Sequence, residues 1–195
     1  MSVESEMTRI VRRVVTGHND KGKSVILQDG PVPGVHDKLA QAGLVFMEVW
    51  ETGATPAPIS PEEPEPTDHA LQLVPPKHGV RIRVLDIPPE GEGLPDTAGE
   101  DAAEVFSKIG AGHALDKDAA HPYMHRTETV DFGIILEGEI VLIMDEGETT
   151  VRAGDVVIQR GTNHAWANRS DQPCRVAFIL VDGTYDESLS FEPHP

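Results

Sequence analysis

The spacing of apolar residues divides this chain into an irregular first half and a strand-dense second half. From residue 121 onward apolar and polar positions alternate: TVDFGIIL, EIVLIM, TTVRAG, DVVIQR, HAWANR and CRVAFILV follow in close succession. Successive side chains of a strand point to opposite faces, so a period of two predicts β-strands. The separators are turn formers: Glu137-Gly138, the DEGE of 145–148, Ala153-Gly154, Arg160-Gly161 and SDQP. Many short strands at regular spacing predict a small antiparallel sandwich or barrel.

Upstream, TRIVRRVV and KSVILQDG, joined by GHNDKG, predict two strands within residues 8–30, and LVFMEVW predicts a third at 44–50. Between Pro56 and Asp68 stand five prolines and four acidic residues. Proline cannot donate to a ladder and acidic side chains resist burial, so residues 51–70 read as an extended loop. VRIRVLDI predicts a strand at 80–87, ended by Pro88-Pro89. One segment has the helical period: Ala102, Val105, Phe106 and Ile109 recur at three- and four-residue spacing. With a capping-box pattern at Thr97 and Glu100 and a stop at Gly110, this predicts a short helix over 98–109. The resulting division is an N-terminal strand arm at 1–77, which includes the Pro-rich acidic loop, and a β-barrel at 78–195.

Composition narrows the partners. In 195 residues, 16 Lys+Arg oppose 33 Asp+Glu, a net charge of −17. That balance argues against nucleic acid and against an anionic membrane surface. No apolar run approaches the ~20 residues of a membrane span. MSVESEMTRIVRR lacks the apolar stretch of a signal peptide, so the expected location is cytoplasmic. The single cysteine, Cys174, lies in the apolar run CRVAFILV and reads as a buried small hydrophobe.

Of nine histidines, His18, His36, His69 and His78 sit among turn residues and read as solvated, and His194 lies in the tail. The other group is more informative. On a continuous strand His121, Tyr123, His125 and Thr127 share one face; on the next, Asp131, Gly133 and Ile135; on a later one, His164, Trp166 and Asn168. An inward aspartate is costly to bury unless paired or metal-bound. Two imidazoles and a carboxylate are what a divalent metal needs, and a metal-free His–Asp pair is the open alternative.

HRTETVDFGIILEGEI followed by GDVVIQRGTNHAWAN resembles the two motifs of the cupin superfamily. The first has the form Gly-x5-His-x-His-x3–4-Glu-x6-Gly. His125 falls on its first His, Asp131 on its Glu and Gly138 on its closing Gly; Ala119 replaces the opening Gly, and Thr127 falls where the second His stands. The second has the form Gly-x5-Pro-x-Gly-x2-His-x3-Asn. Gly154, Gly161, His164 and Asn168 match it, Gln159 replaces the Pro, and one residue is missing between the first two anchors. The resemblance spans roughly 78–183. It implies an all-β fold: a single double-stranded β-helix (jelly-roll) barrel, carrying here the strand arm and one short helix.

The resemblance further implies a divalent metal (Zn, Fe, Mn or Ni) on His125, Asp131 and His164. Thr127 takes the fourth place, Glu128 replaces it if the strand bends, and His121 can swing in from the rim. Gly133 leaves room for a substrate, with Trp166 as a flat wall and Val176, Phe178 and Leu180 on the opposite strand; a filled barrel core is the alternative. Tyr123 and His121 are the candidate proton-transfer groups. Arg126 and Arg160 either orient a substrate carboxylate or, like Arg169, pair with local acids. The implied function is a metal-dependent enzyme acting on a small oxygenated organic or aromatic acid, of lyase, decarboxylase, dehydratase or isomerase type with the metal as Lewis acid. An Fe(II) dioxygenase and a non-catalytic small-molecule binder are the alternatives. The N-terminal strands exceed what the barrel needs, and exposed edges tend to be paired, so a homodimer through those strands is expected.

Overall fold

In the computed structural model, which describes residues 9–37, 44–61, 65–90, 100–112, 114–115 and 121–189, the alternating segments form strands around one helix. In chain order these are β1 (Arg12–His18), β2 (Ser24–Pro31), β3 (Gly34–His36), β4 (Val45–Thr52), β5 (Val80–Ile87), α1 (Glu100–Lys108), β6 (Thr129–Glu137), β7 (Glu139–Met144), β8 (Glu148–Arg152), β9 (Val156–Arg160), β10 (His164–Ala167) and β11 (Cys174–Asp182). A six-stranded sheet has the order β3-β4-β5-β11-β6-β9, and a three-stranded sheet the order β10-β7-β8. Bridges from His125 to His164 and to Leu115 extend the smaller sheet beyond β10. β1 and β2 form a separate hairpin. Strands 8–15 and 23–30 of the sequence reading thus shift by one to four residues; the strand at 80–87 stands as read.

The inner faces of the two sheets meet in one core. Ile87, Ile135, Cys174 and Val176 of the large sheet pack on Ile140 and Val151 of the small one. Cys174 is fully buried, and burial pushes its thiol up to about 12, an inert small hydrophobe. Gly138 turns β6 into β7 at φ +77, where a Cβ would stand 2.8 Å from the Pro173 carbonyl oxygen. No other residue fits that corner, which is why the motif has glycine there.

β4, assigned to the arm from its sequence, hydrogen-bonds along the whole of β5. The outer face formed by Val45, Met47 and Val84 is covered by Val11, Val32 and Val35 at the base of the hairpin. The buried Arg13 ties the hairpin down: it donates to the Val49 carbonyl (3.1 Å) and to the Glu65 carboxylate (2.6 Å). That hydrogen bond holds the Glu65 carboxyl down at about 2. Between β5 and β11, Arg175 grips Asp86 in a two-pronged ion pair of 2.6 and 2.7 Å.

α1 ends at Lys108, one residue before the predicted end at 109, and residues 91–99, with Thr97 of the capping-box pattern, lie outside the described residues. Its apolar face is as the spacing predicts: Ala102, Phe106 and Ile109 are buried against Phe46, Leu71 and Leu115, and Val105 is buried beside them. Gly110 at φ +70 stops it, and the Ala111 N–H caps the Phe106 carbonyl at 2.7 Å. The helix closes one end of the barrel.

Residues 121–127 do not form the continuous strand that alternation predicts. Pro122 has no N–H to give a ladder, and the chain turns instead, with the Met124 N–H donating to the His121 carbonyl at 3.0 Å. Only His125 rejoins the sheet, exchanging both backbone hydrogen bonds with His164 at 2.9 Å.

Candidate functional site

A cavity of about 140 Å³ lies between the sheets beneath α1. Its walls are mainly apolar: Leu44, Phe46, Leu85 and Ile87 from one side, Val105, Phe106 and Ile109 from the helix, and Trp166, Phe178 and Leu180 from the strands. Four groups break the apolar surface: Arg83, His125, Asp131 and His164, with Tyr123 at the margin.

The two imidazoles are fixed by their own turns. His125 Nδ1 lies 2.9 Å from the Tyr123 carbonyl and His164 Nδ1 2.9 Å from the Thr162 carbonyl. A carbonyl accepts only, so each Nδ1 carries the proton and each Nε2 keeps its lone pair. The ring centroids are 4.3 Å apart and tilted by 46°. Burial lowers the pKa of both; His164, which also faces His125, drops to about 3. Both rings are therefore neutral near pH 7 and present acceptor nitrogens. Phe106 of the helix packs 4.9 Å from the His125 ring, and Trp166 stands edge-on to His164 at 6.2 Å.

Asp131 comes from the inner face of β6 and is 6% exposed. Burial pushes its carboxyl up to about 6, against the Thr129 hydroxyl and the charge of Arg83. Thr127 and Thr129 join hydroxyls at 2.7 Å behind it. Its Oδ1 is buried without a hydrogen-bond partner among the described residues.

The cavity's cation is Arg83 of β5, which sequence reading did not single out. It is 2% exposed, and its Nε stands 3.0 Å from Glu48 Oε1 as an ion pair rather than an aligned hydrogen bond. Its Nη2 donates to the Gln72 carbonyl at 2.5 Å. Burial lowers its pKa to about 10, still charged at neutral pH. Beside it Arg81 pairs with Glu51. A bulge between Glu48 and Trp50 lets two acids three residues apart on β4 face two arginines two residues apart on β5. The signal was legible as EVWE opposite RIR.

Residues 114–181 match the family described as Cupin domain. Phomopsin biosynthesis cluster protein C' of Diaporthe leptostromiformis is 30% identical over 191 residues, covering 92% of this chain and 82% of that protein. This chain belongs to the cupin superfamily. The cupin-domain-containing oxidoreductase fogC of Aspergillus ruber is 26% identical over 184 residues, 90% of this cupin and 74% of the relative. Among solved structures, a Cupin 2 conserved barrel domain protein from Salinispora arenicola is 13% identical with a TM-score of 0.39, covering 76% of this chain and 82% of that one.

The cupin barrel brings together His125, Asp131, His164, Tyr123, Trp166, Phe178 and Leu180. It does not bring the other expected residues to the cavity. His121 sits in the turn, its Nε2 3.0 Å from Glu90 and its Nδ1 accepting from the Tyr123 N–H. Glu128 is exposed and accepts from the Tyr185 N–H at 2.7 Å, and Thr127 turns to Thr129. Gly133 leaves no open room: a Cβ there would meet Phe178 at 3.2 Å and Trp166 at 3.5 Å, two rings packed at 5.4 Å. Arg126 and Arg160 do not border the cavity, and Arg169 pairs with Glu148 at the surface. His36, read as solvated, buries its Nε2.

For the metal that the superfamily implies, the donors fit in kind. Two neutral imidazoles offer Nε2 lone pairs, and a buried carboxylate has an orphaned oxygen. In place, only the imidazoles converge: among the described residues no three His, Cys, Asp or Glu side chains stand close enough to hold an ion. Asp131 feels Arg83 rather than either imidazole. Among those residues no helix is long and apolar enough to cross a membrane.

Proposed function

We propose that this cupin is an enzyme that encloses a small, largely apolar oxygenated molecule, aromatic acids among them, and moves a proton at it in a lyase- or isomerase-type reaction. The observation that carries the reading is one cavity: apolar walls surround two neutral imidazoles, a buried acid and a buried guanidinium. The walls exclude water, which strengthens every polar contact made inside. His125 and His164 accept hydrogen bonds through Nε2, Asp131 is a carboxylate whose burial makes it a better base, and Tyr123 is the best-placed proton donor. Zinc, iron, manganese or nickel held by His125 and His164 would supply Lewis acidity to a substrate oxygen. The relative from a phomopsin biosynthesis cluster supports a role in biosynthesis.

A redox reaction is the second reading, because fogC and further relatives carry the description oxidoreductase. Metal analysis of protein purified without chelator, followed by a panel of oxo-acids, hydroxy-acids and aromatic acids with and without air, separates the two. Turnover independent of oxygen supports the proposal. Oxygen-dependent turnover moves it to the redox reading, and a tightly retained ligand without turnover makes the protein a binder. The homodimer belongs to the same proposal: Ile26 and Leu27 on the hairpin are 64% and 49% exposed. Light scattering at twice 21.1 kDa would support it, and the monomer mass would refute it.

A further inference from the structure

Two buried, oppositely charged groups border this cavity without touching. Arg83 and Asp131 are 2% and 6% exposed and each feels the other's charge, while among the described residues the ion pair of Arg83 is with Glu48. Gln72 accepts from Arg83 Nη2, while Nε stands beside Glu48 as an ion pair without an aligned hydrogen bond. On the other side Asp131 Oδ1 lacks a partner. Each unsatisfied buried group costs roughly 1–3 kcal/mol, so the polar end of the cavity calls for a ligand atom that serves both.

Ligand chemistry decides which atom. Arg81 and Arg83 are balanced by Glu48 and Glu51, which leaves the Asp131 carboxylate as the surplus charge. A carboxylate ligand would accept from Arg83 but set a like charge against Asp131. An ammonium would do the reverse. A ketone or ether oxygen would accept from Arg83 and leave Oδ1 orphaned. Of these groups, only a hydroxyl accepts and donates from one atom.

We propose that Arg83 and Asp131 form a hydroxyl-recognition site that takes an alcohol, phenol or enol, the guanidinium donating to the ligand oxygen and the carboxylate accepting its hydrogen. The remaining volume, about 140 Å³ lined by Phe46, Leu85, Phe106 and Trp166, suits a single ring, since an apolar cavity of ~150 Å³ binds benzene. The assignment rests on the reading of this cavity as the substrate site.

The test compares p-cresol with its methyl ether, 4-methylanisole, whose oxygen accepts but cannot donate. Binding is read by calorimetry and by amide shifts of His164 and Trp166. Wild type should prefer p-cresol by at least about tenfold, the worth of one good buried hydrogen bond. Asp131→Leu should abolish that preference while the 4-methylanisole affinity stays within about threefold. The double variant Glu48→Gln/Arg83→Met should instead weaken both probes alike, by about tenfold, and keep the preference. The ether thus reports that Asp131→Leu is folded, and the retained preference reports the same for the double variant. Equal binding of the two probes to wild type, a preference that survives Asp131→Leu, or an unchanged p-cresol affinity in the double variant overturns the hydroxyl site and leaves the cavity reading standing. Failure of both probes to shift His164 and Trp166 overturns the cavity reading, and the hydroxyl site with it.

Discussion

Asp131→Asn is expected to stabilise this protein above pH 7. The fold raises the carboxyl from its ordinary 3.8 to about 6 because burial penalises the charge. A raised folded-state pKa in an acid means that the ionised form destabilises the fold. The penalty is absent below about pH 4, where both states are protonated, grows between pH 4 and 6, and is complete above pH 6. The difference, already net of the Thr129 hydrogen bond and the Arg83 charge, corresponds to about 3 kcal/mol. Because an amide mimics a protonated acid imperfectly, the gain is about 1–3 kcal/mol. For a chain of this size that is roughly 3–10 °C in Tm. The assay is urea unfolding of chelator-treated protein at pH 8 and pH 4. The variant should be more stable at pH 8 and indistinguishable at pH 4. A variant less stable at pH 8 would refute the reasoning, because the carboxylate would then have to be held by favourable contacts in the fold.

Other predictions test the frame. Gly138→Ala should cost about 2–3 kcal/mol in chemical unfolding and Gly147→Ala only about 1–2, because both have positive φ but only the first Cβ meets backbone. Arg175→Met should cost about 3–5 kcal/mol by the same measurement, since it leaves the Asp86 carboxylate buried without its partner. Glu65→Gln should raise hydrogen exchange across β1 and β2 at pH 7. Because Arg13 lowers the Glu65 pKa from 4.5 to about 2, the wild-type advantage is present above pH 4.5 and disappears as pH falls towards 2.

Much of this was legible before any coordinates. Period-two alternation marks β6 to β11 because one face of each strand packs inward, and turn glycines separate them. His125, Asp131 and His164 were legible because the motif positions place them on inward faces. The errors have physical causes. Pro122 breaks the ladder, so alternation across His121–Thr127 predicted a shared face that the turn removes. Gly133 was read as open space, but a missing side chain in a close-packed core is filled by its neighbours, here Phe178 and Trp166. Arg83 escaped notice because both faces of β5 are buried, and in VRIRVLDI polarity alone does not show which face meets a cavity.

The bulge in β4 ties chain length to charge. Glu48 and Glu51 meet Arg83 and Arg81 only because one extra residue lies between them. Deleting a single residue there would rotate Glu51 to the opposite face and strand Arg81, 3% exposed, without its acid. A one-residue gap at this point would thus act like a charge mutation in the barrel wall, although no charged residue had changed. The spacing E-x-x-E against R-x-R is therefore a length constraint, and it can be searched for in other barrels as a signature of a polar wall beneath an apolar roof.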